Sequence, residues 1–205
     1  MVGDLHGKYL PYLSLIENVN ESIQLGDAGI GFGTRGKAEY FDSLFEGLSG
    51  KHRFIRGNHD DPDECRKSSH FINDGHLEAN MMFMGGALSI DKAYRTSGIN
   101  WWMDEELSIP RLGDMLNLYE KHKPDIMITH DFPESIAYNH LIPASGGSTK
   151  FPSRTRDALD AMFKIHKPKI WLGAHWHFSF DKVIDGTRFI VLPELGYIDL
   201  DIESV

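Results

Sequence analysis

Five short segments of the 205-residue chain carry side chains of the kind that ligate metal ions. They are Asp4-Leu5-His6, Gly26-Asp27, Gly57-Asn58-His59-Asp60, His130-Asp131 and Gly173-Ala174-His175-Trp176-His177. Imidazole, carboxylate and amide donors in one set suit Mn, Fe, Zn, Ni or Co better than Ca or Mg alone. In Asp4/His6 and in His175/His177 a single residue separates two donors. On an extended or turning backbone such residues point to one side, so one short segment can offer two ligands. Glycines stand ahead of the donors at Gly3, Gly26, Gly57 and Gly173, where a chain must turn tightly and approach closely. The chain has 11 histidines, and the remaining six (His52, His70, His76, His122, His140 and His166) are read as structural.

The elements that must position these donors alternate between strand and helix. Apolar approaches run into four of the segments: Ile23–Leu25 into Asp27, His52–Arg56 into Asn58 and His59, Asp125–Thr129 into His130, and Lys169–Leu172 into His175 and His177. Helical stripes lie between them, from Tyr9 to Asn20, Ala38 to Leu48, Leu112 to Tyr119 and Ala158 to His166. Pro124 and Pro168 each mark the passage from helix to strand. The segments 81–89 and 178–192 read as further strands, with Asp185-Gly186 as a hairpin turn. This alternation predicts one α/β domain over residues 1–205, rich in parallel sheet. In open α/β sheets ligands bind beyond the carboxyl ends of the strands, where the donors fall. Only Met1 and Val2 precede Gly3, so the first strand is expected to be very short unless the natural chain starts earlier. The Ser145–Ser148 stretch marks 143–153 as a mobile loop, either a lid or an inert surface loop.

Composition bounds the rest. Lys+Arg 21 against Asp+Glu 30 gives a net charge of −9, which argues against long nucleic acids as partners. No apolar run is long enough to span a bilayer, and no membrane partner is expected. One cysteine, Cys65, precludes an internal disulfide. Without an export signal, the cytoplasm is the expected compartment. Oligomeric state is not legible from the sequence.

In order and spacing, the segments Gly3-Asp4-Leu5-His6-Gly7, Gly26-Asp27, Gly57-Asn58-His59-Asp60, His130 and Gly173-Ala174-His175-Trp176-His177 resemble the signature of the calcineurin-like metallophosphoesterases. The resemblance implies a four-layer α/β/β/α sandwich with a two-metal site. It implies Asp4, His6, Asp27 and His177 on one metal, and Asp27, Asn58, His130 and His175 on the other. Asp27 then bridges, and His59 faces the substrate phosphate as general acid. Manganese is the first candidate metal, with Fe, Zn, Ni, Co or Mg as alternatives. The implied activity is hydrolysis of a phosphomonoester or small phosphodiester by a metal-bridging hydroxide. A non-catalytic metal-binding scaffold is the alternative, and the presence of His59 with the whole ligand set argues for the enzyme.

Several readings stay open. Arg56 is expected to grip phosphate oxygens with its planar fork, the alternative being a salt-bridged arginine. Asp60 either orients His59 or caps the next helix. The second segment reads Gly26-Asp27-Ala28-Gly29-Ile30-Gly31 and lacks the second aspartate and the arginine of protein Ser/Thr phosphatases. That disfavours a protein phosphatase, leaves His59 without its usual carboxylate partner, and makes Arg35 a candidate substitute for the arginine. Trp101-Trp102 is either buried under a loop or free to stack on a nucleotide base.

Overall fold

The structure, a computed structural model, describes residues 1–201. Its N-terminal part runs α1 (Tyr9–Ile16), β1 (Glu21–Gln24), α2 (Ala38–Ser43), β2 (Lys51–Phe54) and α3 (Pro62–Cys65). Next come β3 (Leu77–Glu78), β4 (Met81–Met84), α4 (Ile109–His122) and β5 (Ile126–Thr129). A winding segment of α5 (Glu134–Ile136), a π-helical turn (Ala137–Leu141) and α6 (Ile142–Ala144) leads to α7 (Arg154–Ile165). The strands β6 (Ile170–Gly173), β7 (Phe180–Ile184) and β8 (Thr187–Val191) follow.

β1 and β2 pair in parallel, and Val2 adds one bridge to Gln24 and one to Tyr197. The larger sheet has the order β3-β4-β5-β6-β8-β7, parallel through its centre and antiparallel at both edges. Strand side chains alternate between faces, and here both faces are apolar. Met82, Met84, Met127, Trp171, Phe189 and Val191 pack under Leu112, Met115 and Tyr119 of α4 and Leu159, Met162 and Phe163 of α7. Their neighbours Met81, Phe83, Ile126, Ile128, Ile170, Leu172 and Ile190 turn the other way, onto Ile23 of the smaller sheet and onto Leu25, Ile55 and Ile72 beside it. That sheet's outer side, with Val2 and Phe54, carries Tyr9, Tyr12 and Ile16 of α1 and Phe41 of α2. These apolar layers separate helices, sheet, sheet and helices, the expected sandwich.

Element limits differ from the sequence expectation for local reasons. The stripe beginning at Ala38 is helical only to Ser43, and turns carry it on past Gly47 at φ +87°. The strand expected over 81–89 stops at Met84. There Gly86 N–H donates to Arg56 O at 2.8 Å, and Gly85 presses against the same carbonyl, drawing the chain across the end of β2. Asp185 and Gly186 take φ of +52° and +88°, as a tight hairpin turn requires.

Candidate metal centre

Four donor segments leave the carboxyl ends of β1, β2, β5 and β6, and the fifth, Asp4–His6, follows the bridge at Val2. Four of the donors, His6, Asp27, His175 and His177, have positive φ (+49°, +58°, +68° and +56°). Left-handed backbone costs a residue with a Cβ roughly 1–2 kcal/mol. Such strain gathers where surrounding structure enforces it. Close packing enforces it here: a Cβ on Gly26 would stand 2.4 Å from His130 Nδ1, so only glycine lets the two chains approach.

The turns bring the donors into two groups. Ligand atoms of Asp4, His6, Asp27 and His177 all lie within 4.8 Å of one another, as do those of Asp27, His130 and His175. In the first group His6 Nε2 and His177 Nε2 are 3.0 Å apart, and His177 Nε2 is 3.0 Å from Asp4 Oδ2. In the second, His130 Nε2 is 3.3 Å from both Asp27 Oδ1 and Asn58 Oδ1. His130 Nδ1 donates to Leu25 O at 2.7 Å, which leaves Nε2 free as the inward-facing donor atom. Asp27 belongs to both groups.

The electrostatics call for cations. Asp4 and Asp27 are buried (0% and 1% exposed), and among the described residues no lysine or arginine pairs with either. Histidines are their partners. Burial works against both charges of the Asp27–His130 pair, yet their mutual attraction holds the carboxyl well below its ordinary range and raises the imidazole to about 10. A hydrogen bond to Asp4 raises His177, whereas burial lowers His175 and favours its neutral, ligating form. Buried carboxylates ringed by imidazoles fit divalent cations well.

The calcineurin-like phosphoesterase family model matches residues 1–179, a span containing every one of these donors. The chain belongs to this family. It is a metal-dependent phosphoester hydrolase by class. Solved structures share the fold. TT1561 of Thermus thermophilus superposes with a TM-score of 0.52 at 13% identity, covering 95% of this chain and 89% of that one. Phosphopantetheinyl hydrolase from Mycobacterium tuberculosis gives 0.50 at 14% identity, covering 94% and 88%. A Staphylococcus aureus protein provisionally described as a 5′-nucleotidase gives 0.53 at 13% identity, covering 92% of this chain and 43% of its own. No curated protein matches.

Around the metal groups of this phosphoesterase, some residues fall where the sequence did not put them. Arg56 is a correction. It is 1% exposed and turned away from the site, with Nε donating to Asp74 at 3.0 Å and Nη1 donating to the carbonyls of Asp104 at 3.1 Å and Glu105 at 2.8 Å. These contacts are those of the salt-bridged arginine of the alternative. Two other guanidinium groups line the cavity, those of Arg95 and Arg156, and Nη2 of Arg95 donates to His59 Nε2 at 2.7 Å. The His59 ring stacks on Phe32 at 4.6 Å, and its backbone N–H donates to Asp27 Oδ1 at 2.7 Å. Burial pushes the His59 imidazole down to about 4 against the pull of Asp27, and Arg95 pushes the same way.

Asp60 neither orients His59 nor caps a helix. It accepts from the backbone N–H groups of Gly57, Gly29 and Ile30 at 2.8, 2.6 and 3.0 Å, tying the turns after β2 and β1 together. Asp61 is the cap of α3. Arg35 packs against Gly7 and Gly29 and over Phe32. Both Trp101 and Trp102 are half-buried, and Trp102 lies 6.0 Å from the Phe32 ring. The sequence reading missed Ser89, Arg95 and Glu105, and gave Asp131 no role of its own. Asp131 Oδ1 accepts from Trp176 Nε1 at 3.0 Å and sets that indole beside His175.

A cavity of about 600 Å³ opens onto Asp27, Asn58, His59, His175 and His177. Its far wall is largely apolar, with Leu88, Ile90, Ile142, Phe151 and Trp176. The segment expected as a mobile loop supplies part of this wall through Ser145, Gly147, Ser148, Thr149 and Phe151. No helix among the described residues is long and apolar enough to cross a membrane.

Proposed function

We propose that the chain hydrolyses a phosphomonoester or small phosphodiester at two divalent cations that share Asp27. The observation that carries this is the double membership of Asp27. Its Oδ2 lies 3.8 Å from His6 Nε2, and its Oδ1 lies 3.3 Å from His130 Nε2. Asp4, His6, Asp27 and His177 would hold one cation, and Asp27, Asn58, His130 and His175 the other. Manganese is the first candidate, with Fe, Zn, Ni, Co and Mg as alternatives. When bound, such a pair lowers the pKa of water toward neutrality and offsets charge on phosphoryl oxygens.

The chain's own residues supply the remainder. With only two carboxylates among the ligands, two dications leave the centre positive, so it draws in a phosphate despite the net charge of −9. His59 is the proposed donor to the leaving oxygen, held by its N–H on Asp27 and its stack on Phe32; burial leaves the ring neutral at pH 7, so it takes up the proton it gives when the anionic ester binds beside it. Arg95 is the proposed phosphate-side cation in place of Arg56. The apolar wall takes the body of the ester, which favours aromatic or aliphatic alcohols over polyhydroxylated ones. A nucleotide would lay its base, not its ribose, on this wall, and the Staphylococcus aureus neighbour described as a 5′-nucleotidase points the same way. A cytoplasmic location suits the single, buried cysteine.

A panel of p-nitrophenyl phosphate, bis-p-nitrophenyl phosphate, cyclic nucleotides and phosphopeptides, each with Mn, Ni, Zn and Mg, tests the reading. Asp27→Asn is expected to lose both cations and turnover. His59→Asn is expected to keep the cations and to slow alkyl phosphates about 10²–10⁴-fold, with a smaller loss on nitrophenyl esters, whose leaving group needs little protonation. Full alkyl-phosphate activity in His59→Asn would refute the general-acid role. No turnover of any ester with any of the four metals would refute the reading as a whole.

A further inference from the structure

Ser89 lies just beyond β4 and is 1% exposed. A hydroxyl has one proton to give and two lone pairs to fill. All three are used here. The proton goes to Glu105 Oε2 at 2.5 Å. The lone pairs accept from Asn58 Nδ2 at 3.1 Å and from Arg95 Nη1 at 2.9 Å. Ser89 N–H also donates, to Glu105 Oε1 at 2.9 Å, so both oxygens of this buried carboxylate meet Ser89.

Each arm of this junction ends at the metal centre. Because Asn58 Nδ2 is taken by Ser89, the amide must turn Oδ1 inward, where it stands 3.3 Å from His130 Nε2. A reversed amide would aim N–H groups at a cation. On the other arm, Nη1 of Arg95 is held by Ser89 and Nη2 reaches His59 at 2.7 Å. Asp91, 53% exposed, also anchors Arg95, at 2.7 Å, as does the Asn100 carbonyl at 3.5 Å.

We propose that Ser89 and Glu105 are positioning residues, one hydroxyl fixing both the facing of the Asn58 amide toward its cation and the seat of Arg95 on His59. This deepens the reading above and rests on it for the roles of Asn58 and His59. The carboxylate sets the polarity of the whole junction. Glutamine at 105 would accept from Ser89 N–H but aim an N–H₂ at the hydroxyl. Three donors would then face two lone pairs.

The test titrates Mn²⁺ calorimetrically into wild type, Ser89→Ala, Glu105→Gln and Arg95→Met. It then compares kcat on an alkyl phosphate with kcat on p-nitrophenyl phosphate. Residues that orient metal ligands are typically worth 10–100-fold in metal affinity. Ser89→Ala and Glu105→Gln are each expected to weaken one of the two Mn²⁺ sites tenfold or more and to leave the other alone. Both should also slow the alkyl phosphate more than the nitrophenyl ester. Arg95→Met is expected to slow both esters, the alkyl phosphate more than the nitrophenyl ester, with both Mn²⁺ affinities kept. A general loss of structure would not produce this split. Folded Ser89→Ala or Glu105→Gln with wild-type Mn²⁺ affinities would overturn the proposal. Should Ser89→Ala not fold, the near-isosteric Glu105→Gln decides. Wild type that binds two Mn²⁺ but cleaves no ester would refute the hydrolase reading, while the Mn²⁺ affinities of the Ser89 and Glu105 variants would still decide their positioning role.

Discussion

Gly57 lies against Asp27 with no room between them: a methyl group on Gly57 would stand 2.0 Å from Asp27 Oδ1. The carboxylate has nowhere to retreat, since Oδ1 also accepts from His59 N–H and faces His130 Nε2. Gly57→Ala must therefore displace the shared ligand. We expect a drop in Mn²⁺ affinity of at least tenfold and an overpacking cost of about 1–3 kcal/mol. Calorimetry and urea unfolding read the two effects. Unchanged Mn²⁺ binding would mean that Asp27 does not need its present position.

The left-handed conformations of His6, Asp27, His175 and His177 are local strain that the fold must hold without help when cations are removed. Chelation is expected to lower the thermal midpoint, and restored Mn²⁺ to raise it. The gain should be about 2.7 kcal/mol per site at a hundredfold excess over that site's dissociation constant. Hydrogen exchange should quicken first in the turns at 4–7, 26–29 and 174–178. Equal protection with and without Mn²⁺ would contradict the assignment of these turns to metal binding.

Asp60 is buried and satisfies three backbone N–H groups from two turns. Asp60→Ala leaves those donors without a partner, at a cost of about 2–4 kcal/mol. Asp60→Asn keeps one accepting oxygen and should lose less. Urea midpoints order the three proteins, and an alanine variant as stable as wild type would show that these turns find other partners.

Far from the site, Arg53, with help from Lys51 and His76, holds the Glu78 carboxyl down to about 2. The ordinary value is about 4.3. A carboxyl lowered by folding stabilises the native state above its ordinary value and loses that contribution as pH falls through the folded value. Glu78 is partly exposed, so the effect is about 1 kcal/mol or less. Glu78→Gln should unfold at lower urea than wild type at pH 7, and the gap should close as pH is taken from about 4.3 toward 2. A gap constant over that window would remove Glu78 as its source.

The donors were legible because a strand end is a local event. An apolar run, a glycine and a polar residue mark the places after β1, β2, β5 and β6 where chemistry can stand. The sandwich was legible in the same way, since Met81–Met84 and Ile126–Ile128 are apolar on both faces. Arg56 misled because it adjoins Gly57, yet adjacency along a chain does not say where a long side chain ends. Asp74 and two carbonyls claim it instead. Ser89, Arg95 and Glu105 left no mark because their partners are remote. Ser89 meets Asn58 across 31 positions and Glu105 across 16, and Arg95 meets His59 across 36. No spacing rule reaches that far through an irregular loop.

The stretch joining β4 to α4 has a double allegiance. Through Leu88, Ile90 and Arg95 it lines the room where an ester would lie, and through Ser89 it grips Asn58. Altering selectivity by transplanting this stretch from a relative would disturb the catalytic interior unless the Ser89, Arg95 and Glu105 letters travelled with it. The opposite wall has a tether of its own at Phe151, whose carbonyl accepts from the Arg156 that pairs with Asp131, so the stretch around Ser148 offers engineers the freer hand.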